Sequence, residues 1–204
     1  MKKIVFLDRD GVINEFPGDG NYVTRVKDFH LVPGALAAIR RLTKKGYTLF
    51  VVSNQAGVDK GVYSRAKLDQ ITRHMMRHVK KAKGSIRKIF YCTHRSDAGC
   101  DCRKPRIGSF LAAMRLMKLP VKELSKAFFV GDTKSDIEAG FRAGCKTIFA
   151  LSGREDRRRL KKWAVPPDFI TKNLLEAVQI IEHENSHHPR FRRRRTHQGR
   201  GSRL

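Results

Sequence analysis

The chain has 204 residues, 40% of them hydrophobic, which is enough for one α/β domain with its own core. Its apolar runs break off far short of the ~20 residues a membrane span needs, and its four cysteines are too few and too clustered for a disulfide scaffold. The net charge of +25 favours anionic ligands, whether phosphorylated metabolites, nucleic acid or an anionic membrane surface, without choosing among them.

Lys2 and Lys3 imitate the charged start of an export signal. The apolar stretch ends at Asp8, however, and no small-residue cleavage site follows, so a cytoplasmic protein is expected. Residues 4–7 read as a buried strand that carries Asp8 and Asp10 at its end, with Gly11 letting the chain turn away. Two aspartates one residue apart can offer one carboxylate and one backbone carbonyl to a common point, which suits Mg²⁺. Residues 15–29, rich in Gly, Asp and Asn, form a loop. Pro33 and Gly34 open a helix to about residue 45, with Leu36, Ile39 and Leu42 on one face. A second strand over 47–52 delivers Ser53, Asn54 and Gln55. Ser64 N-caps a helix to about residue 81, in which His74 and His78, flanked by basic residues and with no acid between them, read as a solvated pair.

A third strand spans 86–91, and a helix over 107–117 offers Leu111, Met114 and Leu116 to the core. A fourth strand over 127–130 ends in Gly131-Asp132, a helix covers 135–143, and a fifth strand 146–150. A basic helical turn over 154–162 and a weaker strand-then-helix pattern over 168–182 complete the domain. Alternating strands and helices at this spacing predict a doubly wound, Rossmann-like parallel sheet with helices on both faces. The expected domain is therefore 1–182. Residues 183–204 read as a disordered arginine-rich tail, because residues 185–204 hold seven arginines and no acid and have too little apolar content to pack.

In a parallel sheet the strand ends carrying Asp8, Asp10, Ser53, Asn54 and Asp132 share one edge, where one phosphate and one Mg²⁺ would find their ligands, with Lys104 ahead of a helix in the same layer. Cys92, His94, Cys100 and Cys102 offer three thiolates and one imidazole in one loop, a closed set suited to structural Zn²⁺. Arg103 and Lys104 follow directly, so the metal would fix the loop that carries phosphate ligands. Cys145 lies apart and reads as a small buried hydrophobe.

These motifs, DRDG, SNQ, RKP and GDTKSD, resemble the four motifs of the haloacid dehalogenase superfamily of phosphatases, over about residues 3–181. The resemblance implies that Asp8 is a nucleophile forming an aspartyl-phosphate, and that Asp10 is first general acid and then base to water. It implies Mg²⁺ on Asp8, the Asp10 carbonyl and Asp132, with Ser53, Asn54 and Lys104 on the phosphoryl oxygens and Asp136 orienting Lys104 or a metal-bound water. The cysteine loop is similar to the zinc-containing branch of heptose bisphosphate and histidinol-phosphate phosphatases, and no insertion is long enough for a large cap domain. The segments around Asn21-Tyr22-Val23 and SNQAGVDKGVYS favour a heptose bisphosphate, with histidinol phosphate as the alternative. A monomer acting on a small phosphorylated metabolite is expected. The rival is a nucleic-acid-binding protein or 3′-phosphatase using the basic surface, with the tail adding nonspecific polyanion binding.

Overall fold

The computed structural model describes residues 2–186. In chain order its elements are β1 (Lys3–Leu7), α1 (Ala35–Lys44), β2 (Tyr47–Asn54), α2 (Arg65–Lys81), β3 (Lys88–Cys92), α3 (Gly108–Met117), β4 (Phe128–Gly131), α4 (Lys134–Ala143), β5 (Lys146–Ala150), β6 (Phe169–Thr171) and α5 (Leu174–Ser186). The strands form one parallel sheet in the order β3-β2-β1-β4-β5-β6.

Period-two alternation in apolar strands builds two cores. Val5, Leu7, Leu49, Val51, Val130 and Ile148 point to one face, where Ile39 and Leu42 of α1, Ile71 and Met75 of α2, and Val178 of α5 cover them. Ile4, Phe6, Phe50, Val52 and Phe129 point to the other, under Phe110 and Met114 of α3 and Ala139 of α4. Burial on both faces is why these strands read as near-continuous hydrophobic runs. The predicted doubly wound fold with helices on both faces is thus present, and no cap domain interrupts it among the described residues.

Local chemistry sets the helix starts. Ser64 Oγ accepts from the Lys67 N–H at the head of α2. Thr133 and Asp136 form a reciprocal capping box on α4. One expectation changes. Leu116 is 47% exposed and Leu111 only half-buried, because the apolar stripe of α3 runs through Phe110, Ala113, Met114 and Met117 and leaves both off the buried face. Helix α5 runs on past residue 182: Glu184 pairs with Lys146 at 2.7 Å, and the Asn185 amide donates to the Tyr47 hydroxyl at 2.8 Å. The rest of the predicted disordered tail lies outside the described residues.

The order of the strands decides where a ligand can sit. From β1 the chain winds outward through β2 and β3, then returns to β4 on the other side. The reversal opens a crevice at the carboxyl ends of β1 and β4, where doubly wound sheets bind ligands. The first residue beyond β1, Asp8, donates its N–H to Val130 O of β4 at 2.9 Å.

Candidate active site

The crevice is a cleft of about 220 Å³ lined by Asp8, Asp10, Ser53, Asn54, Arg103, Lys104, Asp132 and Asp136, with Phe16, Tyr22 and Arg154 among its other walls. All the predicted catalytic and phosphate-binding residues therefore share one cavity.

At its floor lies a buried charge cluster. Lys104 Nζ sits 2.8 Å from Asp8 Oδ1 and 2.6 Å from Asp136 Oδ1, and donates to Val52 O at 2.8 Å. The ammonium is thus ion-paired to both carboxylates and hydrogen-bonded to the Val52 carbonyl. Burial alone would lower the Lys104 pKa, but the carboxylates of Asp136 and Asp8 outweigh it and raise it. Burial pushes Asp8 up to about 6, against the pull of Lys104 and with the repulsion of Asp136 and Asp10 added. Asp132 is held well above the ordinary carboxylate range by burial and by its neighbours Asp136 and Asp8.

Three carboxylates around one ammonium leave excess negative charge that a cation would neutralise. Asp8, Asp132 and Asp136 bring carboxylate oxygens within 4.8 Å of one another. Asp132 Oδ2 accepts from the Arg154 N–H at 2.7 Å, whereas its buried Oδ1 has no hydrogen-bond partner among the described residues. That orphaned oxygen fits a divalent cation shared with Asp8. Asp136 is differently employed: besides Lys104, it accepts at Oδ2 from the Thr133 N–H (3.0 Å), the Thr133 hydroxyl (2.7 Å) and the Asp132 N–H (3.2 Å). Space around Asp132 is tight. A Cβ on Gly11 or Gly153 would fall 2.2 or 2.1 Å from its Oδ2, and Gly11 also takes φ +80°.

Asp10 sits on the cleft wall in a network the sequence did not announce. Arg9 is fully buried, and its guanidinium forks onto Asp10, with Nε and Nη2 2.9–3.0 Å from Oδ1 and Nη2 3.0 Å from Oδ2. The Asn14 amide donates to Asp10 Oδ1 at 2.8 Å, and the Gln55 amide to Oδ2 at 2.8 Å and to Ser53 Oγ at 3.0 Å. Gln55 Oε1 in turn accepts from the Tyr63 hydroxyl at 2.6 Å. Burial would lower the Arg9 pKa, but the Asp10 carboxylate more than restores it, while burial pushes Tyr63 up to about 12. Arg9, Asn14, Gln55 and Tyr63 had no assigned role. An arginine between two aspartates reads as a solvated turn residue, and only the conformation that buries it reveals the network.

Two predicted phosphate ligands on the cleft wall also make bonds within the protein. The Asn54 amide makes a reciprocal pair with the Lys104 backbone, donating to its carbonyl at 3.2 Å and accepting from its N–H at 3.1 Å. Its side chain therefore clamps the lysine-bearing loop to the end of β2. Arg103 lines the cleft but donates to His94 O at 3.3 Å. Ser53 Oγ accepts from the Gln55 amide and lines the cavity, its own hydrogen without an acceptor among the described residues.

Beside the cleft, Cys92, His94, Cys100 and Cys102 converge. Sulfur–sulfur distances of 3.6 Å and sulfur–Nδ1 distances of 3.3 and 3.6 Å join the four. These edges are close to the ~3.8 Å expected between sulfurs on a tetrahedral ion with 2.3 Å bonds. Without an ion, burial and the neighbouring Cys102 thiol push Cys92 up to about 12, so a bound cation would have to draw its proton off. Cys145 is buried on its own, as expected. His74 and His78 meet ring to ring at 4.5 Å and join no metal-ligating group among the described residues.

The comparisons agree with this geometry. A family model described as HAD-hydrolase-like matches residues 101–177. The D-glycero-β-D-manno-heptose-1,7-bisphosphate 7-phosphatase of Pseudomonas putida is 36% identical over 86% of this chain and 97% of its own length. The D-glycero-α-D-manno-heptose-1,7-bisphosphate 7-phosphatase of Campylobacter jejuni is 35% identical over 90% and 98%. Among solved structures, the D,D-heptose 1,7-bisphosphate phosphatase of B. bronchiseptica, complexed with magnesium and phosphate, superposes with a TM-score of 0.82 at 31% identity, over 90% of this chain and 99% of that one. With a doubly wound sheet, an aspartate-lined crevice at its reversal and relatives matched over nearly their whole length, the chain belongs to the HAD-like phosphatases, in the family of the manno-heptose-1,7-bisphosphate 7-phosphatases.

Proposed function

We propose that the protein is a Mg²⁺-dependent phosphomonoesterase that removes the 7-phosphate of D-glycero-D-manno-heptose 1,7-bisphosphate through an aspartyl-phosphate on Asp8. The observation that carries this reading is the joint placement of Asp8, Asp132 and Lys104 on the floor of one basic-walled cleft. Asp8 attacks phosphorus, and Lys104, already on its carboxylate, offers its charge to the phosphoryl oxygens. Ser53 Oγ donates to another of those oxygens. Asp8, the Asp10 carbonyl and Asp132 would hold Mg²⁺, which would neutralise the repulsion between the carboxylate nucleophile and the phosphate dianion. Asp10, aimed by Arg9, Asn14 and Gln55, protonates the leaving oxygen and later takes a proton from the attacking water. Arg103 and Arg154 on the cleft wall suit a second, non-reacting phosphate.

Asp10→Asn is expected to slow turnover by roughly 10²- to 10⁴-fold; a loss below tenfold in steady-state assays would move the acid–base role elsewhere. For the substrate, turnover of the α and β anomers of the heptose bisphosphate should exceed that of histidinol phosphate and of 3′-phosphorylated oligonucleotides by at least tenfold. Faster turnover of either competitor would overturn the assignment. The two relatives named above differ in anomer, so the ratio between anomers is itself an outcome of that assay.

The four-ligand loop is proposed to hold one structural Zn²⁺. Two bonds of the loop support it: Arg106 donates to Cys100 O at 2.7 Å and the Gly108 N–H to Asp101 O at 2.9 Å, which tie the cluster to the start of α3. Metal analysis of reduced protein should find about one zinc per chain, retained when mild chelation strips Mg²⁺, and finding none would defeat the assignment. A cytoplasmic monomer is the proposed working form, and the arginines beyond residue 186 would add nonspecific attraction for polyanions. No helix among the described residues is long and apolar enough to cross a membrane.

A further inference from the structure

The edge of the sheet opposite the cleft carries a second feature. In a parallel sheet every strand begins on that edge, and α1 and α2 end there. Lys44 closes α1; Lys80, Lys81 and Lys83 lie at or just past the end of α2; Arg87 and Lys88 stand where β3 begins. All six are exposed, and none forms an ion pair with a described residue. They share one surface. The Ser85 N–H donates to Thr43 Oγ1 at 2.9 Å, the Arg87 N–H donates to Leu49 O at 2.8 Å, and Lys88 lies in register with Phe50.

Cations at a helix's carboxyl end complement its dipole, which accounts for Lys44, Lys80 and Lys81. It does not account for Lys83, Arg87 and Lys88, which lie beyond the helix, or for the lack of a single acid between residues 70 and 96. Self-repulsion among unpaired cations costs stability unless a polyanion relieves it. The described chain also ends on this edge: Asn185 is bonded to Tyr47 at the start of β2, and the sequence beyond adds seven arginines.

The geometry points to a docking surface for the phosphate backbone of a nucleic acid on the amino-terminal edge of the sheet. Charge complementarity selects a polyanion. The exposed large hydrophobic residues Val62, Leu116, Val121 and Phe141 all lie outside segments 40–45 and 80–88, so no protruding apolar side chain here would insert into a bilayer, and the apolar groove between Met76, Val79 and Ile86 is concave. No aromatic residue occurs in 80–88 to stack on bases, so binding is to the backbone and independent of sequence. Strands β1 to β3, of five to eight residues, place this surface roughly 15–25 Å from the catalytic crevice, so it stands apart from the substrate site and does not depend on which phosphoester is hydrolysed.

The test uses the full chain, a labelled 30-base-pair duplex of arbitrary sequence and fluorescence anisotropy between 50 and 200 mM NaCl. The duplex should bind with steep salt dependence. The variant Lys80→Gln/Lys81→Gln/Lys83→Asn/Arg87→Gln should bind at least tenfold more weakly at 50 mM and lower the slope of log K against log salt by about 3 to 4. Its turnover of a small phosphomonoester should be unchanged, which shows that it has folded. A chain ending at Ser186 should keep measurable, salt-sensitive binding. The proposal is overturned if the variant binds like the parent, if binding vanishes in the chain ending at Ser186, if anionic phospholipid vesicles are bound in place of the duplex, or if saturating inorganic phosphate in the cleft displaces the duplex.

Discussion

Asp8→Asn is expected to abolish turnover, by on the order of 10⁵-fold or more as when a covalent nucleophile is removed, while the protein stays folded. The amide cannot attack phosphorus, but it has the carboxylate's shape, and Lys104 keeps its contacts with Asp136 and Val52 O. Stability should respond with a definite sign. Burial raises Asp8 from 3.8 to about 6, so in the metal-free fold the ionised form is the unfavourable one. The stability this group contributes is complete below its unfolded pKa and is lost as the pH rises through about 6. Asparagine cannot ionise. Without added Mg²⁺ the variant should therefore melt no lower than the parent at pH 7.5, and the parent should gain more from Mg²⁺ at pH 7.5 than at pH 5. Residual activity within tenfold of the parent would remove the covalent mechanism, and a large fall in melting temperature would show that Asp8 is held for structure.

Arg9→Ala should produce the largest loss of stability. Its guanidinium is 1% exposed, forks onto Asp10, donates to Gln55 Oε1 at 3.0 Å and lies over the Tyr91 ring at 5.7 Å. Removing one partner of a buried charge pair costs about 3–5 kcal/mol, and because Asp10 is 21% exposed and keeps Asn14 and Gln55 the loss should lie at the low end, about 3 kcal/mol. For a domain of this size that is a fall of roughly 10 °C in melting temperature. Turnover should fall as well, because Asp10 would keep only Asn14 and Gln55 to aim it. Arg9→Lys keeps the charge but cannot make the two-pronged contact. It should recover part of the stability while leaving the rate depressed. Full rescue of the rate by lysine would mean that charge, and not orientation, is what Arg9 provides. A melting temperature within 2 °C of the parent for Arg9→Ala would show that the pair contributes little.

The sheet was legible because its strands are apolar runs that stop at residues whose chemistry differs from what precedes them. Asp8 follows β1 and Asp132 follows β4, and each is where a parallel sheet puts its ligand edge. The cysteine-histidine cluster was legible because three cysteines and a histidine fall within eleven residues. What could not be read was any arrangement that depends on how distant segments meet. Gln55 sits beside the named Ser53 and Asn54, yet only folding shows that it bridges Asp10 and Tyr63. Asn54 has the donor of a phosphate ligand, and it also works as a clamp because the Lys104 backbone passes within reach. The stripe of α3 was misread at Leu116 because several apolar residues crowd that helix, and sequence alone does not choose which rows face inward. The basic turn before β6 was placed correctly, but nothing in it announces that the Arg154 N–H meets Asp132.

The close packing of Asp132 between Gly11 and Gly153 also bears on the order in which a ribosome delivers the chain. Asp8 emerges early, Lys104 midway, and the Arg154 N–H that holds Asp132 comes last of the four. At typical synthesis rates of about 5–20 residues per second the interval between Asp8 and Arg154 is roughly 7–30 s. Throughout it the proposed nucleophile exists without the residues that would make it reactive. A fragment that stops short of Gly153 and Arg154 also lacks one wall of the slot around Asp132. Premature termination or proteolytic loss of the C-terminal quarter is therefore expected to leave polypeptides that carry the DRDG segment without phosphatase activity.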